Sequence, residues 1–583
     1  MRSIIDESYV DAFGNRVNAT KRALKKVKKA LGSTQHGLID SVMVAWDGRL
    51  RRICFTREPS TPFNLVIHTE QGKTHTVSVR SKDISSEDGC IGATVDIRLE
   101  WGYHRLYVKA PVGTQEALII SAPVKAYGHP KRRWGFFTPI YALSSNQSQG
   151  IGDLGDLQRL MGAAYEAGAD FIGTLPLLAT YPDMPSPYSP LSMFMFNELL
   201  LDLSTLIERE NNPGHRHRWE KERTRLNRLR RVGHVKASRL KHDILERMAP
   251  SVDEGYDNLV LSYARFRARK ELGKNVGDSH PRVRMHAYAQ TLFRKQLEKL
   301  RRPPGLYLDL PVGVHRDSFD THQYKRSFCK GLRVGAPPDP GFPTGQDWGF
   351  LPLHPERIRE EGYDYLITSI RNHMRYADFL RIDHVMRFHR LYVIPDGLPS
   401  SEGVYIRYHP DEFYAIINLE SRRNKCSVIG ENLGTVEPEV NRQLDRHALK
   451  KMFILLFSPA NLPSESNNMA YLDTHDTPTF ASMLSDKGFV KELRKLLRRN
   501  GYRPTTHKGL VNASLKMLGD SSIRDICVNL EDLWLEKGRQ NTPGTVKKAN
   551  WSQKLAYSLD DPALRRALHD AGKILNPRCK GKR

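Results

Sequence analysis

Three acidic residues each follow a short apolar run: Asp383 in FLRIDHV, Glu431 in SVIGENLG and Asp476 in AYLDTHD. One carboxylate after a strand commonly caps the next helix. Three in a single chain, two of them beside a histidine (His384 and His475), are harder to assign to capping alone. The chemistry that needs such a set is cleavage of a glycosidic bond. One carboxylate attacks the anomeric carbon, and a second, held protonated, donates to the leaving oxygen. A covalent intermediate requires the two carboxyls about 5–5.5 Å apart. Neighbouring strands lie about 4.8 Å apart, so residues at the ends of adjacent strands can meet that spacing.

The elements that must position these groups are legible from Trp134 onward. Apolar runs alternate with helical segments: WGFFTPIYAL, FIGTLPLL, GLYLDLPVGV, FLRIDHV, CSVIGENLG, KMFILLFSP, NMAYLDTHD and IRDICVNLEDLW. Eight such runs predict an α/β fold, a TIM (β/α)8 barrel with site residues at the C-terminal strand ends. By chain order Asp383 and Glu431 fall on the fourth and fifth strands. The barrel is expected over residues 126–583, with a mainly helical insertion at about 205–300. Residues 36–125 carry alternating β-rich runs such as FNLVIHT, THTVSVR and HRLYVKA, which predict a small β-sandwich domain. Residues 1–35 read as a small N-terminal helical segment, with Leu24, Val27 and Leu31 on one face.

With 583 residues, 39% hydrophobic and 27% charged, the chain is too long for one simple domain and too apolar for disorder. The net charge of +25 permits an acidic partner but says nothing about fold. Residues 215–241 concentrate eleven Lys or Arg against two Glu. They lack the interleaved aromatics that stack nucleic-acid bases, so a solvated helical face is the expectation. The six cysteines are scattered, which suggests neither a disulfide framework nor a zinc site. The acidic start, MRSIIDESYVDAFGN, is unlike a signal peptide, and no run reaches the length of a membrane helix. A cytoplasmic protein without membrane association is expected.

Longer motifs carry a family resemblance. WGFFTPIYALSSNQSQGIGDLGDL, SPYSPLSMFMFNELLLDL, VGAPPDPGFPTGQDWGFLPLHPE, ADFLRIDHVMRF, VIGENLGTVEPEV, YLDTHDTPT and NTPGTVKKANW occur in that order. Together they resemble the amylomaltase, or 4-α-glucanotransferase, family, relatives of the α-amylases. The segments YVDAFGN and GYHRLYVKAP look like its long form, with extra N-terminal domains. The resemblance implies Asp383 as nucleophile, Glu431 as general acid and then base, and Asp476 as stabiliser of the oxocarbenium-like transition state. It implies that Arg381 hydrogen-bonds Asp383 and favours its charged form. It further implies His475 and His384 on sugar hydroxyls, Tyr188 stacked on the sugar, and Gln346 and Trp348 against the glucan. Neither metal nor organic cofactor is needed for such retaining chemistry.

The activity so implied is cleavage of an α-1,4-glucan bond and transfer of the glycosyl segment to another sugar's 4-hydroxyl. Donors would be α-1,4-glucans and maltooligosaccharides, with glucose or a maltooligosaccharide as acceptor. A hydrolase of the α-amylase type on the same carboxylates is the first alternative, and a nucleic-acid-binding protein on an inactive scaffold the second. The chain departs from the family pattern at Gln149, Leu175, Leu178, His322 and Asn432, which bears on subsites rather than on the catalytic carboxylates.

Overall fold

The computed structural model describes residues 4–32, 37–56, 59, 62–87, 90–110, 113–250, 255–547 and 549–579. Eight parallel strands close a barrel in chain order. They are β1 (Arg133–Phe137), β2 (Phe171–Gly173), β3 (Gly305–Leu310), β4 (Phe379–Ile382), β5 (Ser427–Gly430), β6 (Lys450–Ile454), β7 (Asn468–Tyr471) and β8 (Asp525–Asn529). Each coincides with one of the eight apolar runs to within one residue. Their side chains are buried on both faces, which is why these strands read as continuous apolar runs rather than as alternation. β1 pairs with β8 and closes the ring, with Trp134 opposite Ile526. Gly135 is required in β1, because a Cβ there would run into the Phe171 carbonyl oxygen. Gly152, in the GIGDLGDL segment, faces the Ile140 carbonyl in the same way. That glycine serves close packing, not a phosphate cradle.

Two compact units divide the chain. One comprises Met1–Gly128, Thr321–Arg375 and His384–Leu449; the other comprises His129–Asp320, Tyr376–Asp383 and Lys450–Arg583. The first unit holds a β-sandwich. Its five-stranded sheet runs Val42–Trp46, Gly113–Ala122, Gly102–Ala110, Phe63–His68, Thr74–Val79, and its three-stranded sheet Arg49–Phe55, Cys90–Arg98, Ile84–Glu87. Alternate residues, among them Ile53, Leu65, Ile67, Leu106 and Val108, form its core. Cys54, on the second of these sheets, is disulfide-bonded, which the scattered cysteine spacing did not suggest.

The first unit also contains a second five-stranded sheet that the sequence reading missed: Ile5–Asp6, Val404–Arg407, Arg390–Pro395, Leu332–Ala336 and Gln346–Asp347. It corrects the expectation of a helical segment over residues 1–35. Among the described residues of this stretch helix forms at Lys21–Leu31, capped by Thr20 and burying Ala23, Val27 and Leu31 rather than Leu24. Ahead of it, Ile5 pairs with Ile406, and the Tyr9 ring packs edge-on against Tyr392 and Tyr405. Sheet partners supplied from about 400 residues away override local helical character.

In the second unit, helices Pro213–Asn227, His234–Met248, Asn258–Leu272 and Pro281–Lys299 make up most of the insertion. The basic helix Pro213–Asn227 buries only Trp219 and Leu226. Its Trp219 Nε1 donates to Asp243 at 2.6 Å, and Arg218 and Arg225 pair with Asp243 and Glu222. Polar anchors hold the insertion down: Arg267 meets Glu198 at 2.8 Å, both buried, and Lys241 lies 3.7 Å from Asp153. No described helix is long and apolar enough to cross a membrane.

Candidate active site

In the second unit, Arg381 is the last residue but one of β4 and Asp383 directly follows the strand, two positions on from Arg381, so both side chains leave the chain on the same face. Arg381 is buried. Its Nη1 donates to both Asp309 oxygens at 2.8 Å, and its Nη2 lies 2.8 Å from Asp383 Oδ1. Asp309 sits within β3 and is 1% exposed. Its Oδ2 also accepts the Tyr188 hydroxyl at 2.6 Å. Burial pulls the Arg381 guanidinium down, but the two carboxylates outweigh it and hold its pKa well above the ordinary value. Burial pushes the Asp309 carboxyl up, against the pull of Arg381. Desolvation, followed by the Asp309 charge, drives the Tyr188 phenol well up, so it stays a hydrogen-bond donor.

The ring of Tyr188 stacks on His475, with centroids 5.1 Å apart and an interplanar angle of 15°. Phe137 covers the histidine too, at 6.3 Å and 18°. Trp551 leans against both Tyr188 and His475 at 5.8 and 6.0 Å. This aromatic stack orients His475, whose Nε2 lies 3.1 Å from Asp476 Oδ2. Asn541 Nδ2 donates to Asp476 Oδ1 at 2.7 Å, and Arg539 donates to the Asp476 main-chain oxygen at 3.0 Å. Desolvation raises the Asp476 carboxyl, but the charge and hydrogen bond of His475 and the bond from Asn541 prevail and hold it down at about 2. Its side chain is nevertheless 45% exposed, so it remains open to a ligand.

In the first unit, His384 adopts the left-handed conformation, φ 50°, and turns the chain out of the strand. The turn presents two successive N–H groups to Glu431. His384 N donates to Glu431 Oε2 at 2.9 Å, and Val385 N donates to the Glu431 carbonyl at 3.0 Å. Leu433 N donates to Oε1 at 2.6 Å. With both oxygens fixed by main-chain donors, the Glu431 carboxyl has one orientation. The Trp348 ring stands edge-on to His384 at 5.2 Å, and Trp348 Nε1 donates to Gln346 at 3.3 Å.

The residues singled out in the sequence thus fall into two groups. Asp383, Arg381, Tyr188, His475 and Asp476 share one network, while Glu431, His384, Trp348 and Gln346 form the other. Asp383 and His384 are consecutive in the chain. Tyr188 has His475 against one ring face, a partner the sequence did not suggest. Asp309 escaped notice altogether, although a lone Asp inside GLYLDLP carried a signal: a charge buried in a strand needs a partner. Phe137, Asn541 and Trp551 lie inside the motifs WGFFTPIYAL and NTPGTVKKANW, which marked the segments but not these side chains. Of the departures, Asn432 bonds Asn441 at 2.9 Å and buried Gln149 bonds the Gln147 carbonyl at 2.7 Å. Leu175 and Leu178 are buried, and His322 is exposed.

Comparison with known proteins gives this arrangement its context. The chain is 28% identical to the 4-alpha-glucanotransferase of Haemophilus influenzae over 568 residues, covering 79% of this chain and 81% of the relative. It is 28% identical to that of Mycobacterium tuberculosis over 569 residues, covering 80% and 78%. The crystal structure of amylomaltase from Corynebacterium glutamicum shares the fold at a TM-score of 0.87 and 22% identity, over 98% of each chain. Amylomaltase from Streptococcus agalactiae, solved in complex with acarbose, matches at 0.62 and 20% identity, over 76% of this chain and 99% of that one. Residues 38–123 match the MalQ N-terminal beta sandwich domain. Residues 138–272 and 261–559 match the 4-alpha-glucanotransferase family, more than half of the sequence, and the chain therefore belongs to that family.

Proposed function

We propose that this protein disproportionates α-1,4-glucans by a retaining double displacement in which Asp383 and Glu431 are the working pair. The observation that carries the reading is the Arg381-anchored Asp383 at the end of β4, in a barrel whose next strand in ring order, β5, ends at Glu431. The residue after Asp383 gives its N–H to Glu431, which supports the pairing further.

In the first displacement an Asp383 oxygen attacks the anomeric carbon of a bound glucan. The glycosidic C–O bond breaks, and the proton of Glu431 passes to the leaving oxygen. In the second, Glu431 takes the proton of an acceptor sugar's 4-hydroxyl. That oxygen attacks the same carbon, the Asp383 ester breaks, and the α linkage is restored. Asp476, held anionic by its neighbours, accepts hydrogen bonds from ring hydroxyls that strengthen as positive charge develops on the sugar. Tyr188, His384, Gln346 and Trp348 contact the glucan in this reading. Donors are α-1,4-glucans and maltooligosaccharides, and acceptors are glucose or maltooligosaccharides.

Incubation with maltotriose, read by chromatography, tests the proposal. Transfer yields a ladder of longer oligosaccharides with glucose, and Asp383→Asn abolishes it by several orders of magnitude, as loss of a covalent step requires. Maltose and glucose with no longer products would replace transfer by hydrolysis. A ladder from the Asp383→Asn variant would end the nucleophile assignment.

A further inference from the structure

In the second unit, the helix Lys487–Arg499 carries six Lys or Arg against a single glutamate, Glu492. Lys495 takes that glutamate at 2.8 Å. Arg494 and Arg498, four positions apart, lie on one face of the helix. The chain then reverses. Gly501 adopts φ 86°, its N–H donates to the Arg498 carbonyl at 3.0 Å, and Tyr502 N donates to the Leu497 carbonyl at 2.9 Å. The turn brings the segment 503–505 back alongside the helix, where the Arg494 guanidinium reaches the Thr505 main-chain oxygen at 3.5 Å. Here lies a cleft of about 440 Å³, lined by Arg494, Arg498, Arg503, Pro504 and Thr505.

Three guanidinium groups thus line one cleft, and no described carboxylate pairs with any of them. The basic helix Pro213–Asn227 differs, since Arg218 and Arg225 there meet Asp243 and Glu222. Like charges at i and i+4 destabilise a helix, and a third cation beside them adds to that cost. Arg494 makes a second demand. Its Nε is buried and has no acceptor among the described residues, and a buried donor without a partner is costly. A third contribution comes from the next helix, His507–Asp520. It begins just past Thr505, after the N-cap Thr506, and has no acidic residue in its first turn to offset the positive end of its dipole. All three features call for the same occupant, a compact anion with several acceptor oxygens.

We propose that Arg494, Arg498 and Arg503 bind a phosphate dianion or the phosphate group of a monoester. A guanidinium is a planar fork that meets phosphate oxygens two at a time. Arg494 supplies the buried Nε–H as one prong of its fork. Arg498 and Arg503, both exposed, add charge and donors from the helix and from the returning segment. The cleft suits a single small phosphate compound rather than a polymer, and no aromatic side chain lines it to stack a base. No residue given a role in glucan transfer lines it either, so the site is additional to that reading.

Isothermal titration calorimetry on the full chain, in buffer free of phosphate and sulfate, tests the site with inorganic phosphate and glucose 6-phosphate at one ionic strength. Phosphate should bind saturably, one per chain. The double variant Arg498→Gln, Arg503→Gln should weaken it by about tenfold or more, as loss of charge-assisted hydrogen bonds predicts. Lys487→Gln with Lys491→Gln removes the same two charges from exposed positions of the same helix outside the cleft. That control should change the affinity by no more than about threefold, because solvent and salt screen charges that make no contact. Arg494→Lys keeps the charge but loses the fork, and should also weaken phosphate. Melting temperature without anion and kcat on maltotriose should be unchanged in both double variants, since their side chains are exposed and outside the transfer site.

Glucose 6-phosphate should compete with phosphate. Binding tighter than that of phosphate, and lost in the arginine double variant, assigns the site to an ester; equal or weaker binding assigns it to phosphate itself. Absence of saturable phosphate binding would overturn the proposal, as would parent-like affinity in the folded arginine double variant. Equal weakening in the arginine and lysine double variants would overturn it too, by reducing the effect to diffuse surface charge. Unchanged binding in Arg494→Lys would remove the fork from the site. Binding is read without turnover, so the result stands whatever becomes of the transferase reading.

Discussion

Replacing Asp309 by Asn tests how Asp383, the proposed nucleophile, is held. Asp309 is 1% exposed and accepts three hydrogen bonds, two from Arg381 Nη1 at 2.8 Å and one from Tyr188 at 2.6 Å. Asn keeps the shape but turns one oxygen into a donor. Its best arrangement offers the remaining oxygen to Arg381 and leaves the Tyr188 hydroxyl without its acceptor. Loss of a bond to a charged group costs about 1.5–3 kcal/mol. Removing one partner of a buried pair costs about 3–5 kcal/mol. Here Asp383 still faces the guanidinium, at 2.8 Å from Nη2, so the lower part of that range applies. Arg381 then has a single anionic partner, draws Asp383 toward itself, and the attacking oxygen is both misplaced and less nucleophilic. A displacement of about 1 Å lowers a rate by about 10²-fold, equivalent to about 2.7 kcal/mol. We therefore expect kcat on maltotriose to fall by about 10²-fold in a folded protein with reduced thermal stability. Tyr188→Phe in the Asp309→Asn background should add much less than it does alone, because the hydroxyl has already lost its acceptor. A kcat within about threefold of the parent in Asp309→Asn, or strictly additive effects in the cycle, would refute the reasoning.

Glu431→Gln should still cleave an activated donor such as a glycosyl fluoride, with turnover partly rescued by azide; equal defects on natural and activated donors in glycosylation would exclude it as the acid. Asp476→Asn should lower kcat strongly with little rise in KM and no azide rescue, and a defect confined to KM would reduce Asp476 to a binding role. Its depressed carboxyl also contributes stability above its ordinary value of 3.8 that is lost as pH falls toward about 2, so the variant should lose this acid-side dependence in thermal melts. Glu531 has the opposite sign. Its stabilising contribution is complete below 4.5 and is lost as pH rises through about 8, so Glu531→Gln should flatten the decline in melting temperature over that window, and parallel profiles would refute it.

The sequence by itself determined the order of the barrel and the candidates for its reacting groups. Strands buried on both faces must be written in continuous apolar residues, so each of the eight runs marked a strand. A carboxylate placed directly after such a run falls at a strand end, which made Asp383 and Glu431 visible without coordinates. The sandwich showed itself by alternation, since one face of each sheet packs inward. The sheet that takes in Ile5–Asp6 stayed hidden, because pairing between residues separated by about 400 positions leaves no local periodicity. The same limit applies to the site. Asp309 and Asn541 meet Arg381 and Asp476 through contacts fixed only when strands and turns distant in sequence pack together. Which carboxyl is charged and which keeps its proton follows from burial and neighbours, not from residue type. Composition names an aspartate; the tertiary structure sets its partner, its orientation and its ionisation.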